Sequence, residues 1–274
     1  LAYRNRITTS NIAVGEILEV LSAAKHAVVE TYESYDVITY VVSLVNSGTT
    51  ALTGLVLTDN LGAYTFNEAS LFPLQYVANS LKYYVNGVLQ TSPVIASQEP
   101  LQIEGISIPA QGNAVVIYQA ALTQFAPSAT NSTITNQAVI SGTGISSITV
   151  EETISALAEP ILNITKSISP VPVTENGALT YTFVIENRGN VPADPVDLIV
   201  ITDQFNPILS DLTVTFNGTA WAEGTQYTYD QTTGLFTTKA GEITVPAATF
   251  TQNADTGAWS VIPGTSTLVI TGTV

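Results

Sequence analysis

The chain has 274 residues, of which only 11% are charged, yet 22 acidic groups against 7 basic ones leave a net charge of −15. That balance repels nucleic acid and anionic lipid, so neither is expected as a partner. Cysteine is absent, which removes disulfides, thiolate metal sites and thiol catalysis together, and the longest apolar runs are strand-sized, too short to insert as a membrane-spanning helix.

Residues 1–20 read as a β-hairpin. Tyr3, Asn5, Ile7 and Thr9 alternate with Arg4, Arg6 and Thr8, and after Ser10-Asn11 the pattern resumes as Ile12, Val14, Glu16 and Leu18. A period of two places alternate side chains on opposite faces of a sheet. An internal segment has the same form: Ile134, Asn136, Ala138 and Ile140, a turn through Gly142-Thr143-Gly144, then Ile148, Val150, Glu152 and Ile154. The first twenty residues therefore look like the closing hairpin of a module whose beginning is missing. Methionine is also absent, so Leu1 is read as following something removed.

The remainder divides into two copies of one pattern, residues 21–157 and 158–274. Fifteen positions separate Lys25 from Tyr40 and Lys166 from Tyr181, and six separate Tyr40 from Asn46 and Tyr181 from Asn187. Each Asn opens an Asn-x-Gly turn (Asn46 to Gly48, Asn187 to Gly189), and each copy continues to Thr-Asp, at Asp59 and Asp203. Asn86-Gly87 and Asn217-Gly218 then follow aromatic strands, as hairpin turns do. Ile108-Pro109 before Ala114–Ile117 is matched by Ile262-Pro263 before Leu268, Val269 and Ile270.

Beyond that point only the first copy goes on, into the 133–156 hairpin; residues 158–274 contain no counterpart of it. No stretch has a helical period with caps. Thr, Val, Ile and Tyr dominate the periodic segments, and the turn spacing predicts an all-β chain of two tandem antiparallel β-sandwiches preceded by the N-terminal hairpin. The boundary falls at Ala156–Pro160, where proline cannot donate to a ladder.

The order of Lys, Thr-Tyr-x-apolar-x-apolar-x-Asn-x-Gly, a strand ending in Asp, and Asn-x-Ala-x-apolar resembles the prokaryotic surface repeat called domain of unknown function eleven. Both copies carry it, although the second lacks the closing Asn-x-Ala strand and Asn5-Arg6-Ile7 has Ile in place of Ala. The resemblance implies immunoglobulin-like sandwiches on a cell-envelope or extracellular protein.

A sandwich without its terminal strands exposes an edge and an apolar groove, which proteins avoid unless something fills them. The expected occupant is the hairpin of another copy, with Tyr3, Asn5, Ile7, Ile12, Val14 and Leu18 as donor residues and Leu268, Val269 and Ile270 as the acceptor edge. The partner is then the chain itself, in a head-to-tail polymer on a cell or spore surface. The alternative is an adhesin or stalk segment of a longer array that binds protein or carbohydrate through its loops.

One chemical possibility accompanies this reading. A first-strand lysine can be welded to a last-strand asparagine by an isopeptide bond, with a carboxylate moving protons. Lys25, Asn136 and Asp59 suit that placement, and Lys166 with Asp203 would meet Asn5 of a neighbour.

Enzymatic function is not expected. His26 is the single histidine, and there is no nucleophile elbow, phosphate loop or His-rich metal set. Glu151 and Glu152 face opposite ways on a strand. No cofactor or metal is assigned: Asp59-Asn60, or Asp197 with Asp203, offer calcium oxygens without a dense acidic loop. Trp221, Trp259, Tyr227 and Tyr229 suggest a sugar platform, which core packing explains more cheaply.

Overall fold

The computed structural model describes residues 20–274, so the donor residues Tyr3, Asn5, Ile7, Ile12, Val14 and Leu18 lie outside it. Within the described residues the alternating segments form strands, and the single helical element is a 3-10 turn at Pro195–Asp197. Apart from that turn the regular structure of the described residues is all β, built as two sandwiches of mainly antiparallel strands, each with its own apolar core.

In the first module one sheet runs Leu21–Ala27, Val37–Asn46, Asn113–Leu122, Lys82–Val85 and Val88–Leu89 in spatial order, with Leu74–Tyr76 also pairing to Asn113–Leu122. The facing sheet runs Val94–Gln98, Leu101–Ile108, Leu52–Asp59, Thr133–Ser141, Ile148–Ala156 and Thr31–Tyr32, the last pair parallel. Tyr40, Val42 and Leu44 from one sheet meet Leu55, Leu57, Ile103 and Ile140 from the other, all buried. Each such aliphatic side chain contributes about 1.5–3 kcal/mol by leaving water.

The second module repeats the first sheet as Leu162–Ser169, Ala178–Asn187, Gly264–Thr273, Ser210–Phe216 and Thr219–Trp221. Its facing sheet is reduced to three short strands, Thr202–Gln204, Leu235–Thr238 and Tyr227–Asp230. Aromatic stacking fills the thinner core: the Phe205 ring lies 4.5 Å from Tyr181 and 5.7 Å from Phe236 between ring centroids.

This arrangement corrects the expected acceptor edge. Leu268, Val269 and Ile270 belong to the middle strand of the five, hydrogen-bonded to Ala178–Asn187 on one side and Ser210–Phe216 on the other. Leu268 and Ile270 are fully buried core residues, so no strand can add there. The repeat alignment explains the miss, since it locates a strand in the motif order without saying which strands flank it.

The turns behave as their residues require. Asn86-Gly87 and Asn217-Gly218 take positive φ at both positions, the hairpin geometry that matches strand twist. Asn46 and Asn187 each accept a hydrogen bond from the glycine two residues on, both at 2.9 Å, and donate to the carbonyls of Thr50 and Val191, both at 2.8 Å. These asparagines are turn clamps.

Their position sets how the modules follow one another. The Asn187–Asn190 turn sits against the far end of the first module, where Asn190 Nδ2 donates to the carbonyls of Leu157 (2.9 Å) and Ser128 (3.1 Å). Val20 lies at the opposite end of the first module, accepting from Ser47 N at 2.8 Å beside the equivalent Asn46–Gly48 turn. A hairpin absent from the sequence reading, Thr249–Gln252 with Trp259–Ile262, reaches back from the second module. Gln252 Nε2 donates to the Tyr64 hydroxyl at 3.0 Å and Trp259 N to the Gln124 carbonyl at 2.9 Å. The Asn253–Gly257 turn signal could have revealed the hairpin, though not its docking.

Candidate cross-linking site

Lys25 sits on the first strand with its side chain turned inward. Lysine is rarely placed so unless it is paired, and here Lys25, Asp59 and Asn136 are all buried between the sheets. Lys25 Nζ lies 2.6 Å from Asp59 Oδ2, donates to the Asn136 backbone carbonyl at 2.9 Å, and stands 4.9 Å from the centre of the Tyr40 ring. Tyr118 donates its hydroxyl to the same Asp59 oxygen, and the Leu61 amide donates to Asp59 Oδ1 at 2.9 Å. Sequence reading found Lys25, Asp59 and Asn136 but missed Tyr118, which lies opposite Tyr40 in the sheet register.

Two features make this cluster chemically distinctive. Burial lowers the Lys25 pKa against the opposing pull of Asp59, favouring the neutral amine, which is the nucleophilic form. The Asn136 carboxamide is buried close to the Tyr40 and Tyr118 hydroxyls, yet neither its oxygen nor its nitrogen makes a hydrogen bond of normal geometry. Leaving such groups unsatisfied costs about 1–3 kcal/mol each, and a native fold that tolerates it calls for an explanation. A desolvated amine, a carboxylate within proton-transfer distance of it and an uncommitted carboxamide are what amide exchange requires. Joining Nζ to Cγ of Asn136 would release the carboxamide nitrogen as ammonia, with Asp59 in contact with Nζ and so placed to carry the protons.

The second module holds the same lysine and aspartate without the asparagine strand. Lys166 pairs with Asp203 and stands 4.6 Å from the Tyr181 ring centre and 5.6 Å from that of Phe183. Ile270 occupies the register position that Tyr118 has in the first module, so no second hydroxyl reaches Asp203 from there. In the first module, Thr133–Ser141 lies along Leu52–Asp59 with Ala138 opposite Asp59, and Glu152 on the next strand approaches His26 at 3.6 Å. In the second module that space is a groove of about 300 Å³, lined by Leu162, Ile164, Ile185, Ile199 and Ile201 among others. The consequence is visible in exposure: Leu21 is 5% exposed and its counterpart Leu162 37%, while the Lys25 side chain is 0% exposed and that of Lys166 38%.

The other sequence candidates separate. Trp221 packs on Phe216, Tyr227 and Tyr229 are buried in the second core, and Trp259 belongs to the docking hairpin, so they form no common platform. Asp59 is committed to Lys25 and Tyr118 and does not face a calcium loop. His26 is largely exposed.

No family model matches the chain, and no curated protein does. Among solved structures it is similar to the pilus backbone RrgB of Streptococcus pneumoniae, with 10% identity and a TM-score of 0.36 over 89% of this chain and 55% of that one. It is also similar to BcpA, the major pilin subunit of Bacillus cereus (9%, 0.37, covering 90% and 66%), and to the collagen-binding subdomain of the Enterococcus faecalis surface protein ACE (9%, 0.31, covering 51% and 97%). The chain thus spans less than two thirds of either pilin. A likeness of this size is one of strand architecture alone.

Proposed function

We propose that this chain is a structural subunit of an extracellular filament on a cell or spore surface, polymerising head to tail, with residues 1–20 of one copy completing the second module of the next. The observation that carries this reading is the open face of that module. Leu162, Ile164, Ile168 and Val200 lie exposed where, in the first module, two further strands cover the equivalent positions. A paired strand would satisfy the free edge of Thr202–Gln204 by main-chain hydrogen bonds, while alternate side chains enter the groove.

The junction inside the chain supplies the template for the junction between chains. The 133–156 hairpin closes the first module, a short connector follows, and the Lys166 strand begins at the Asn187–Gly189 turn. Residues 1–19 stand in the same order before the Lys25 strand and join it at Val20, beside the Asn46–Gly48 turn. That end points away from the chain's own second module, which favours a separate molecule as the acceptor. If Tyr3, Ile7, Ile12, Val14 and Leu18 become buried, the gross gain is on the order of 10 kcal/mol. Association costs a comparable amount, so both strands must insert together and dissociation should be slow.

In the same reading the first module is held shut by an amide bond between Lys25 and Asn136, which suits a fibre under tension. Deleting residues 1–20 tests the assembly: negative-stain microscopy should show filaments from the full chain and folded monomers from the truncated one. A full chain that stays monomeric at high concentration, or a truncated chain that still polymerises, refutes it.

A further inference from the structure

We propose that two hairpins, one inserted in each module, form a latch that locks the modules into one rigid body; and, resting on the filament reading, that bending is therefore confined to one hinge per chain, at the junction between copies. The insertions are found by comparing the modules. Ile108 pairs with Leu52, six positions after Asn46, and Val245 pairs with Ala193, six after Asn187. The structural counterpart of Ile108-Pro109 is therefore Val245-Pro246, and not Ile262-Pro263 as the repeat in the sequence implies. From Pro109 to Tyr118 is 9 positions, whereas from Pro246 to its register equivalent Ile270 is 24, the surplus being the hairpin of Thr249–Gln252 with Trp259–Ile262. Conversely, Asp59 stands 27 positions before Asn86 and Asp203 only 14 before Asn217, and the first-module surplus contains the hairpin of Tyr64–Phe66 with Ala69–Leu71.

Each insertion is present in one module only, and the two meet across the seam. The first-module hairpin turns at Asn67-Glu68, both at positive φ; the second-module one turns at Asn253–Gly257, where Asn253 Oδ1 accepts from the amides of Asp255 and Thr256, both at 2.9 Å. Asn67 Nδ2 donates to the Ala254 carbonyl at 2.7 Å. Gly257 lies flat on the first module, so close that a Cβ there would stand 2.3 Å from Leu71 Cδ1 and 2.9 Å from Phe66 Cδ1. Further along, Tyr64 accepts from Gln252 and passes its own proton to the Phe125 carbonyl at 2.9 Å, beside the bond from Trp259 N to Gln124. The modules are thus attached at the connector, where Asn190 holds Leu157, and again at the latch. A joint fixed at two places cannot swivel about either.

At a junction between copies the Asn46–Gly48 turn takes the part that Asn187–Gly189 plays inside the chain, and among the described residues none of these attachments recurs there. Thr49 stands where Asn190 does, with one hydroxyl in place of an amide that donates twice. Pro109 passes to Gly112 by a tight turn, Gly112 N donating to the Pro109 carbonyl at 3.1 Å, so the first module sends out no hairpin from this position. The second module has no hairpin between Thr202–Gln204 and Ser210–Phe216 to receive one. Modules in series move relative to one another unless the interface between them is extensive, so the latched seam is stiff and the unlatched one bends.

The full chain contains no cysteine, so Gln98→Cys and Thr228→Cys, at exposed strand positions of the first and second modules, place two spin labels without interference. Double electron–electron resonance should give one narrow distance distribution. Gly257→Val, which drives a side chain into Leu71 and Phe66, should widen it several-fold, and Leu71→Asp should do the same from the first module's side; calorimetry should show both modules still folded, because Gly257 and Leu71 lie outside the two cores. A broad distribution in the parent chain, or one that neither substitution widens, overturns the latch. Micrographs of filaments should show bends spaced by one chain, that is by two modules, and Gly257→Val should halve that spacing. Bends at every module in the parent filament, or at none, overturn the hinge. Absence of filaments overturns the assembly reading and the hinge with it, while the label distances still decide the latch.

Discussion

Replacing Asn136 with alanine separates a covalent first module from one held only by packing. The proposed Lys25–Asn136 bond closes a loop spanning 111 residues. A cross-link over that length removes chain entropy from the unfolded state worth about 5 kcal/mol, which for a module of this size corresponds to roughly 10–20 °C in melting temperature. Without the bond, the same substitution deletes a carboxamide whose two polar atoms are buried without partners. Each of those atoms costs about 1–3 kcal/mol, and their removal would offset the small cavity left behind. The two cases therefore differ in sign as well as size. Intact mass should place the native chain one ammonia below the value calculated from its sequence and Asn136→Ala at its calculated value, and calorimetry should show the variant melting far lower. A native chain at its calculated mass, or a variant that melts within a few degrees of it, refutes the argument.

Asp59→Asn should leave the Lys25–Asn136 bond unmade, read as a chain at its calculated mass, and should also lower stability by about 1–3 kcal/mol, because Lys25 Nζ and the Tyr118 hydroxyl lose the buried carboxylate that both contact. Ile164→Asp tests the groove: Ile164 is half exposed, so folding of the isolated chain should hardly change, while sedimentation should find assembly lost. Gly189→Ala should loosen the seam between the modules, because an added Cβ would lie 2.0 Å from the Glu159 carbonyl oxygen; a loss of about 2 kcal/mol or more is expected in chemical denaturation. Tyr32, Tyr40 and Tyr118 are all raised above the ordinary tyrosine value of 10.0, first of all by burial. Above that pH the unfolded chain releases protons that the folded one keeps, so stability falls as pH rises, by up to about 4 kcal/mol per pH unit for three groups. Equilibrium unfolding at stepped alkaline pH checks it, and a flat profile between pH 10 and 11 would contradict the burial of these hydroxyls.

Much of the architecture was legible in the residues because strand alternation and Asn-Gly turns are local properties. Period-two patterns located the Lys25, Asp59 and Asn136 strands, and the repeat spacing paired Lys25 with Lys166 and Asp59 with Asp203 before any contact was seen. The internal repeat also exposed the mismatch between a leading hairpin and a module without one. What the sequence could not decide was neighbourhood across the sheets. Leu268–Ile270 looked like a terminal edge since it stands last in the motif, whereas it is central, because strand order in a sandwich is set by long-range pairing and not by order along the chain. Tyr118 joined the site only through its register with Tyr40, and the Trp259 hairpin found Tyr64 and Gln124 only once both modules were packed. Alternation tells each residue which face it occupies; only the assembled sheets determine what it meets there.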